Sequence, residues 1–243
     1  MICFVCQGRS VKTKMSESRN KQIQLNSVDL VVVDGNEGFE RVNLLIKIAL
    51  HNSKFIRFNS IKIFTGYSPI ESLPEYQNIK YIPIEVNSIL HYNKFILTKL
   101  HEYVSAEYCL IFQHDGFIIN PQFWDERFLE YDYIGALFPK ASWNKINRVG
   151  NGGFSLRSKK FIKYCTSLDL DFSFNEDKLI CTDHYNELCR SGFTFAPPEL
   201  AAKFSLEEDN EYNNNIEQVF GFHGSSRRPH LYSRTLELIK KIK

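Results

Sequence analysis

The sequence predicts an α/β protein with a mostly parallel central sheet flanked by helices. Three observations lead there. Short apolar runs that end at glycine or aspartate alternate with segments carrying apolar residues at helical spacing, the pattern of strands joined by crossover helices. Hydrophobic residues make up 43% of the 243 residues, enough for a sizeable core. Charged residues make up an ordinary 24%, which argues against a disordered chain.

The elements follow in order. Residues 7–26 are polar and basic and read as a loop or extension. Val28-Asp29-Leu30-Val31-Val32-Val33 reads as a buried strand that stops at Asp34-Gly35. Residues 38–51 carry Phe39, Val42, Leu45, Ile46 and Ala49 at helical spacing. Ile61–Phe64 reads as a second strand, and residues 81–84 as a third whose Pro83 suggests a sheet edge or a strand end. Residues 91–104 look helical, and Tyr108–Phe112 reads as a fourth strand. The second half has short strands over 131–138 and 148–156. Helices follow over 158–166 and 177–191, the latter closed by Gly192. The asparagine run 213–215 lies in an acidic loop, 207–217, that reads as mobile. Residues 225–243 hold six basic side chains and one acid, with Leu231, Leu238, Ile239 and Ile242 as an apolar stripe. That segment reads as a packed terminal helix with a solvated basic face, or as a helix lying on an anionic membrane. The resulting division is an N-terminal strand or extension over 1–26, a main domain over 27–224 and a basic C-terminal helix over 225–243.

Composition narrows the function. A net charge of +2 gives no reason to propose a nucleic-acid partner. There is no run of 18 apolar residues, so no transmembrane helix is expected, and the apolar start is too short for a signal peptide. A cytoplasmic protein is expected, with peripheral membrane contact through the basic C-terminus as the alternative. Of the six cysteines, Cys3 and Cys6 have C-x-x-C spacing without a second such pair, and a plain strand is the simpler reading there. Cys109, Cys165, Cys181 and Cys189 read as reduced core residues, with Cys181 and Cys189 two helical turns apart and too far to bridge.

Ligands of open α/β sheets bind at the carboxyl ends of the strands. Gln113-His114-Asp115-Gly116 stands at the end of the fourth strand. Asp115 reads either as a turn aspartate or as a carboxylate for a divalent cation that holds a diphosphate. In Gly150-Asn151-Gly152-Gly153, three glycines in four residues allow close approach of a ligand to the backbone, or form a plain tight turn. Glu176-Asp177 suits a helix N-terminus electrostatically, or supplies a general base. His223, flanked by Gly221-Phe222 and Gly224, is open to a ligand or metal. Asp34, at the end of the first strand, is placed by topology to contact a nucleoside. Lys94 and Lys99, on the helix before the fourth strand, are cations that reach a phosphate or form a solvated face.

Taken together, these strings resemble the DUF5672 family. The resemblance runs through Gln113-His114-Asp115-Gly116-Phe117, Asn120-Pro121, Trp124, Tyr131–Ala136 and Val149–Ser158. It continues through Asn175-Glu176-Asp177, Phe195-Ala196-Pro197, Phe204–Glu207 and Phe220–Gly224, from about residue 28 to 224 in all. That family is similar to glycosyltransferases of the GT-A fold. The order of features also resembles the β-1,3- and β-1,4-galactosyltransferase families.

The resemblance implies a GT-A-like sheet with a smaller β region on the acceptor side. It implies a nucleotide-diphosphate sugar as donor, a saccharide or glycan hydroxyl as acceptor, and Mn²⁺ or Mg²⁺ as cofactor. It implies Asp115 and His223 as metal ligands, Asp177 as catalytic base with Glu176 beside it, and inversion at the sugar carbon. The donor-binding residues are then Asp115, Asn151, Gly152 and Gly153, joined by Asp34 from sheet topology and Lys94 from its place on the helix before the fourth strand. The chain departs from the pattern at Gln113, where the family resemblance leads one to expect an acid. One carboxylate and one histidine make a thinner metal site, with the diphosphate supplying much of the coordination.

Three rival readings remain. A non-catalytic saccharide- or nucleotide-binding module is slightly favoured by Gln113 and disfavoured by the set Asp115, Asp177 and His223. A nucleotidyltransferase is disfavoured by the acidic Asp34-Gly35-Asn36-Glu37-Gly38. An interaction protein acting through the basic tail would not need the acidic residues.

Overall fold

The computed structural model describes residues 22–139, 147–225 and 229–242. A six-stranded sheet in the order β3-β2-β1-β4-β7-β6 forms its centre. The strands are β1 (Ile23–Asp34), β2 (Ile56–Thr65), β3 (Ile79–Pro83), β4 (Tyr108–Phe112), β6 (Tyr133–Ile134) and β7 (Phe154–Ser158). The β3, β2, β1 and β4 strands run parallel, and β7 and β6 add antiparallel pairs. Covered on both faces, the central strands read as near-continuous apolar runs, and Val28 and Leu30–Val32 are fully buried. The β3 strand is a sheet edge, where Pro83 is tolerated. A second sheet, β5-β9-β8, joins β5 (Gly116–Ile118), β9 (Gly221–His223) and β8 (Ser205–Leu206). The mostly parallel sheet and the smaller β region agree with the predicted fold class.

Helices α1 (Phe39–Ser53), α2 (Ile89–Thr98) and α3 (Leu100–Tyr103) belong to the crossovers of the first half. The α1 helix buries Val42, Leu45, Ile46, Ile48 and Ala49. Ser88 caps α2 by accepting the His91 N–H at 3.2 Å. In the second half stand α4 (Lys159–Cys165), α5 (Glu176–Lys178), α6 (Tyr185–Arg190), α7 (Pro198–Phe204) and α8 (Pro229–Lys240).

Several expectations are corrected. Residues 23–26, assigned to a polar extension, belong to β1, where Ile23 pairs with Ile56; a register shift between Leu25 and Asp29 breaks the alternation that would have revealed them. The rest of that extension, with Cys3 and Cys6, lies outside the described residues. The helix expected over 177–191 is interrupted by a π turn at Leu179–Asp183. Leu179, Ile180 and Cys181 are buried consecutively, a pattern no α-helical stripe accommodates. Cys189 is exposed, not core, whereas Cys109, Cys165 and Cys181 are buried; all four are free thiols. The expected strand over 131–138 shortens to β6, and the one over 148–156 moves to β7, because Gly150–Gly153 forms a turn that precedes the strand. Gly192 has φ +87°, as its place after α6 requires. The acidic loop is tied down: Arg148 pairs with Glu211 at 2.8 Å, and Asn213 donates to the Ala202 carbonyl at 3.0 Å.

The α8 helix packs on α1 and buries Thr235 and Ile239. Arg227, Arg228 and Lys243 of the basic tail lie outside the described residues. No described helix is long and apolar enough to cross a membrane.

Candidate active site

The carboxyl ends of β1 and β4 open onto a cavity of about 680 Å³, within the usual range for small-molecule sites. Asp34, Arg41, Ser88, Tyr92, Gln113 and His114 contribute to its wall. The N-termini of α1 and α2 also reach it, at Gly38 and Ile89, and the positive ends of their dipoles favour an anion. A second lobe of about 550 Å³ continues past Gly35 and Val86 to Thr65 and Tyr67, at the ends of β2 and β3. The two lobes meet where Gly35 lies against the Val86 carbonyl; a Cβ on Gly35 would stand 1.5 Å from that oxygen. Asp34 lines the first lobe, but both of its oxygens are engaged. Oδ2 accepts from Arg41 Nε at 2.6 Å, and Oδ1 accepts the Asn36 N–H at 2.9 Å.

Lys94 is placed elsewhere. It stands two residues after Tyr92, roughly 200° around the helix, and lines a separate groove with Lys99, His91 and Phe95. Its expected contact with the donor is therefore corrected: the helical phase that turns Tyr92 into the cavity turns Lys94 away.

Beside the cavity, the antiparallel pairing of β5 with β9 sets Gly116 opposite His223 and so brings Asp115 to the imidazole. Nε2 of His223 lies 3.2 Å from Asp115 Oδ1 and 3.2 Å from Gln113 Oε1. An amide oxygen only accepts, so Nε2 carries the proton and donates it to Gln113. Asp115 Oδ1 is then buried with no hydrogen bond from any described residue, while Oδ2 accepts the Ser225 N–H at 2.8 Å. Burial opposes ionisation of Asp115, yet the His223, Ser225 and His114 contacts hold its carboxyl well below the usual carboxylate range. Burial also acts to lower the His223 pKa, and the Asp115, Glu207 and Asp177 carboxylates outweigh it and raise it.

The glycine turn packs against this cluster. A Cβ on Gly153 would stand 2.1 Å from His223 Nε2, and one on Gly152 would stand 1.5 Å from Glu176 Oε1. Asn151 sustains the turn with φ 58° and donates to Glu207. The Gly152 N–H donates to Asp177 Oδ2 at 3.3 Å. Asp115, His223, Asn151, Gly152, Gly153 and Asp177 thus share one corner, with Gln113 common to the corner and the cavity.

Glu176 packs under Gly152 from the protein interior. It is 3% exposed and accepts from the fully buried Arg157 at 2.8 Å. Burial pushes its carboxyl pKa up against the pull of Arg157. The Glu176 carboxylate, next in sequence to Asp177, is thus engaged by the buried Arg157 guanidinium. Sequence reading missed Arg157, whose guanidinium also lies 5.1 Å over the Tyr133 ring. It missed Tyr92 as well, whose hydroxyl accepts from Gln113 Nε2 at 3.1 Å. The position of Tyr92 one helical turn past Ser88 was the available signal.

Among the described residues, no three His, Cys, Asp or Glu side chains are grouped to hold a metal. The pair Asp115 and His223 is joined instead by an amide.

The model of the family described as "Protein of unknown function (DUF5672)" matches residues 76–223, more than half of the chain. The chain belongs to the DUF5672 family. No curated protein matches it in sequence. In fold, this DUF5672 protein is similar to the galactosyltransferase LgtC solved with donor and acceptor sugar analogues. The TM-score is 0.51 at 12% identity, over 87% of this chain and 95% of LgtC. It is also similar to the apo-form glycosyltransferase GlyE of Streptococcus pneumoniae TIGR4, with a TM-score of 0.51 at 11% identity. That match covers 89% of this chain and 61% of GlyE. At such identities the likeness establishes a shared GT-A-type fold.

Proposed function

We infer that the protein is a glycosyltransferase that moves a sugar from a nucleoside-diphosphate donor to a saccharide or glycan hydroxyl. The observation that carries this reading is Gln113, which joins a nucleotide-sized cavity at the strand ends to the Asp115–His223 corner. The nucleoside diphosphate occupies the cavity, with its phosphates toward the N-termini of α1 and α2 and its nucleoside near Asp34.

A divalent cation, Mn²⁺ or Mg²⁺, fits the corner: carboxylate and amide oxygens with one imidazole suit it, and the orphaned Asp115 Oδ1 has a vacant lone pair. Asp115 and His223 would hold it, and it would neutralise charge on the leaving diphosphate. The Gly152-Gly153 backbone, free of side chains, lets Glu176 and the His223 ring pack directly on the turn and so seats the imidazole beside the cation position. Asp177 stands on the Gly152 side of that turn and His223 on the Gly153 side. A single displacement with inversion needs the base on the face opposite the leaving diphosphate, and Asp177 is assigned to that face. Asp177 takes the proton of the acceptor hydroxyl as its oxygen attacks the anomeric carbon. Glu176, withdrawn into its pair with Arg157, leaves Asp177 as the one reacting carboxylate.

The test is turnover of a panel of nucleotide sugars, read as release of nucleoside diphosphate. Asp177→Asn is expected to lower turnover by about 10²–10⁴-fold while the protein stays folded. EDTA is expected to stop turnover, and Mn²⁺ or Mg²⁺ to restore it. Full activity in Asp177→Asn removes that residue from the mechanism. Tight donor binding without turnover in the wild type establishes the alternative, a non-catalytic saccharide- or nucleotide-binding module.

A further inference from the structure

We propose that the Gln113 amide oxygen is the third protein donor to the cation, and that the Tyr92 hydroxyl positions it. The site would then take a divalent cation chiefly as its complex with a diphosphate. This rests on reading Asp115 and His223 as a cation site and adds to it the residue that makes the corner differ from an acidic pair.

The geometry is specific. A six-coordinate cation with bonds of about 2.1 Å places adjacent donors about 3.0 Å apart. Nε2 of His223 is 3.2 Å from both Asp115 Oδ1 and Gln113 Oε1, close to that spacing on two edges. Oδ1 is buried and accepts no hydrogen bond from any described residue, although its residue is only 7% exposed. A vacant lone pair in such a place costs stability unless something fills it. Nδ1, the other ring nitrogen, lies 3.8 Å from Glu207 Oε1. Ligation by Nε2 displaces its proton and leaves the ring hydrogen on Nδ1, which faces that carboxylate across a gap longer than a hydrogen bond.

The amide is aimed, not merely nearby. Its Nε2 donates to the Tyr92 hydroxyl at 3.1 Å, so the oxygen faces the corner. Its backbone N–H donates to the Gly153 carbonyl at 2.8 Å, which fixes the strand end under the side chain.

The charge follows from the residue types. Among the three donors only Asp115 is anionic. A carboxylate at position 113 would double the formal negative charge facing a dication. With the amide there, the attraction for a bare cation is smaller, and a diphosphate carries in the missing charge. The coupling is reciprocal: the cation raises affinity for diphosphate by the same factor that diphosphate raises affinity for the cation.

The test is retention of Mn²⁺ by the full chain in equilibrium dialysis, with Mn²⁺ alone and with Mn²⁺ plus inorganic pyrophosphate. Wild type is expected to retain Mn²⁺ weakly alone and more tightly with pyrophosphate. Gln113→Leu is expected to lose at least 10-fold in Mn²⁺ affinity, and Tyr92→Phe to change in the same direction. Gln113→Glu is expected to gain at least 10-fold for Mn²⁺ alone and to show a smaller pyrophosphate effect, a gain that misfolding does not produce. If Asp115→Asn abolishes retention while both Gln113 variants match the wild type, the amide is not a donor, although the cation site stands. If Tyr92→Phe matches the wild type, the positioning role falls. If the wild type retains no Mn²⁺ under either condition, the cation reading itself falls, and this proposal with it.

Discussion

Gly153→Ala is a substitution of one methyl group whose consequences differ for stability and for the site. The new Cβ would lie 2.1 Å from Nε2, 2.4 Å from Cε1 and 2.6 Å from Cδ2 of His223. Ordinary contact is about 3.5–4.0 Å, so the ring must retreat by roughly 1–1.5 Å. Both 3.2 Å contacts of Nε2, to Asp115 and to Gln113, are then lost. Overpacking of this kind costs about 1–3 kcal/mol. At about 2–4 °C per kcal/mol for a chain of this size, Tm falls by roughly 2–12 °C. Cation retention should fall as well, by about 10–100-fold, the usual consequence of disturbing the support of a metal ligand. The assay is a thermal melt paired with Mn²⁺ dialysis. Gly192→Ala is the control: its φ is +87° and the added Cβ meets nothing within 4 Å. It should cost about 1–2 kcal/mol through backbone strain alone and leave Mn²⁺ retention untouched. Wild-type retention in Gly153→Ala, or equal losses in the two variants, refutes the reasoning.

Two more outcomes follow from the buried charges. Glu176→Ala leaves the fully buried Arg157 guanidinium without its carboxylate and should cost about 3–5 kcal/mol in urea unfolding. Adding Arg157→Met should recover part of that loss, and a double variant less stable than the single one would contradict the pair's assignment. Asp29 is fully buried and accepts from Lys62 at 2.7 Å and Ser60 at 2.6 Å. Burial opposes its ionisation, but these bonds win and hold its carboxyl well below the usual range. A depressed folded-state pKa stabilises above the unfolded value of about 3.9 and is lost as pH falls through the folded value. Asp29→Asn should therefore be less stable than wild type at pH 7, with the gap closing below about pH 4. A gap independent of pH in acid unfolding would count against this.

The first half of the fold was legible because its signals are local. Tyr108–Phe112 is a strand as expected, and Pro83 marks a sheet edge as expected. The corner was legible in outline because Asp115, Gly152-Gly153, Asp177 and His223 are each conspicuous beside glycines or at element ends. What remained hidden depends on partners far apart in sequence. Arg157 looks like an ordinary strand residue until Glu176, 19 residues on, is brought under Gly152. Glu176 and Asp177 look interchangeable in sequence, and only the direction of the short α5 turn separates the buried one from the partly exposed one. Lys94 looks like a phosphate contact in sequence, but helical phase carries it about 200° round α2 from Tyr92 and onto another groove. The register shift in β1 and the π turn before α6 broke the periodicities from which element bounds are read.

The central claim is that one pocket holds a nucleoside diphosphate and a divalent cation together. A thermal-shift screen of nucleoside diphosphates, with and without Mn²⁺, tests it most directly. A ligand at 100 times its Kd stabilises the native state by about 2.7 kcal/mol. At about 2–4 °C per kcal/mol, Tm should rise by roughly 5–11 °C for at least one nucleotide. That rise should require Mn²⁺ and vanish in Asp115→Asn. No shift with any nucleoside diphosphate, or a shift indifferent to both Mn²⁺ and Asp115, would contradict the account.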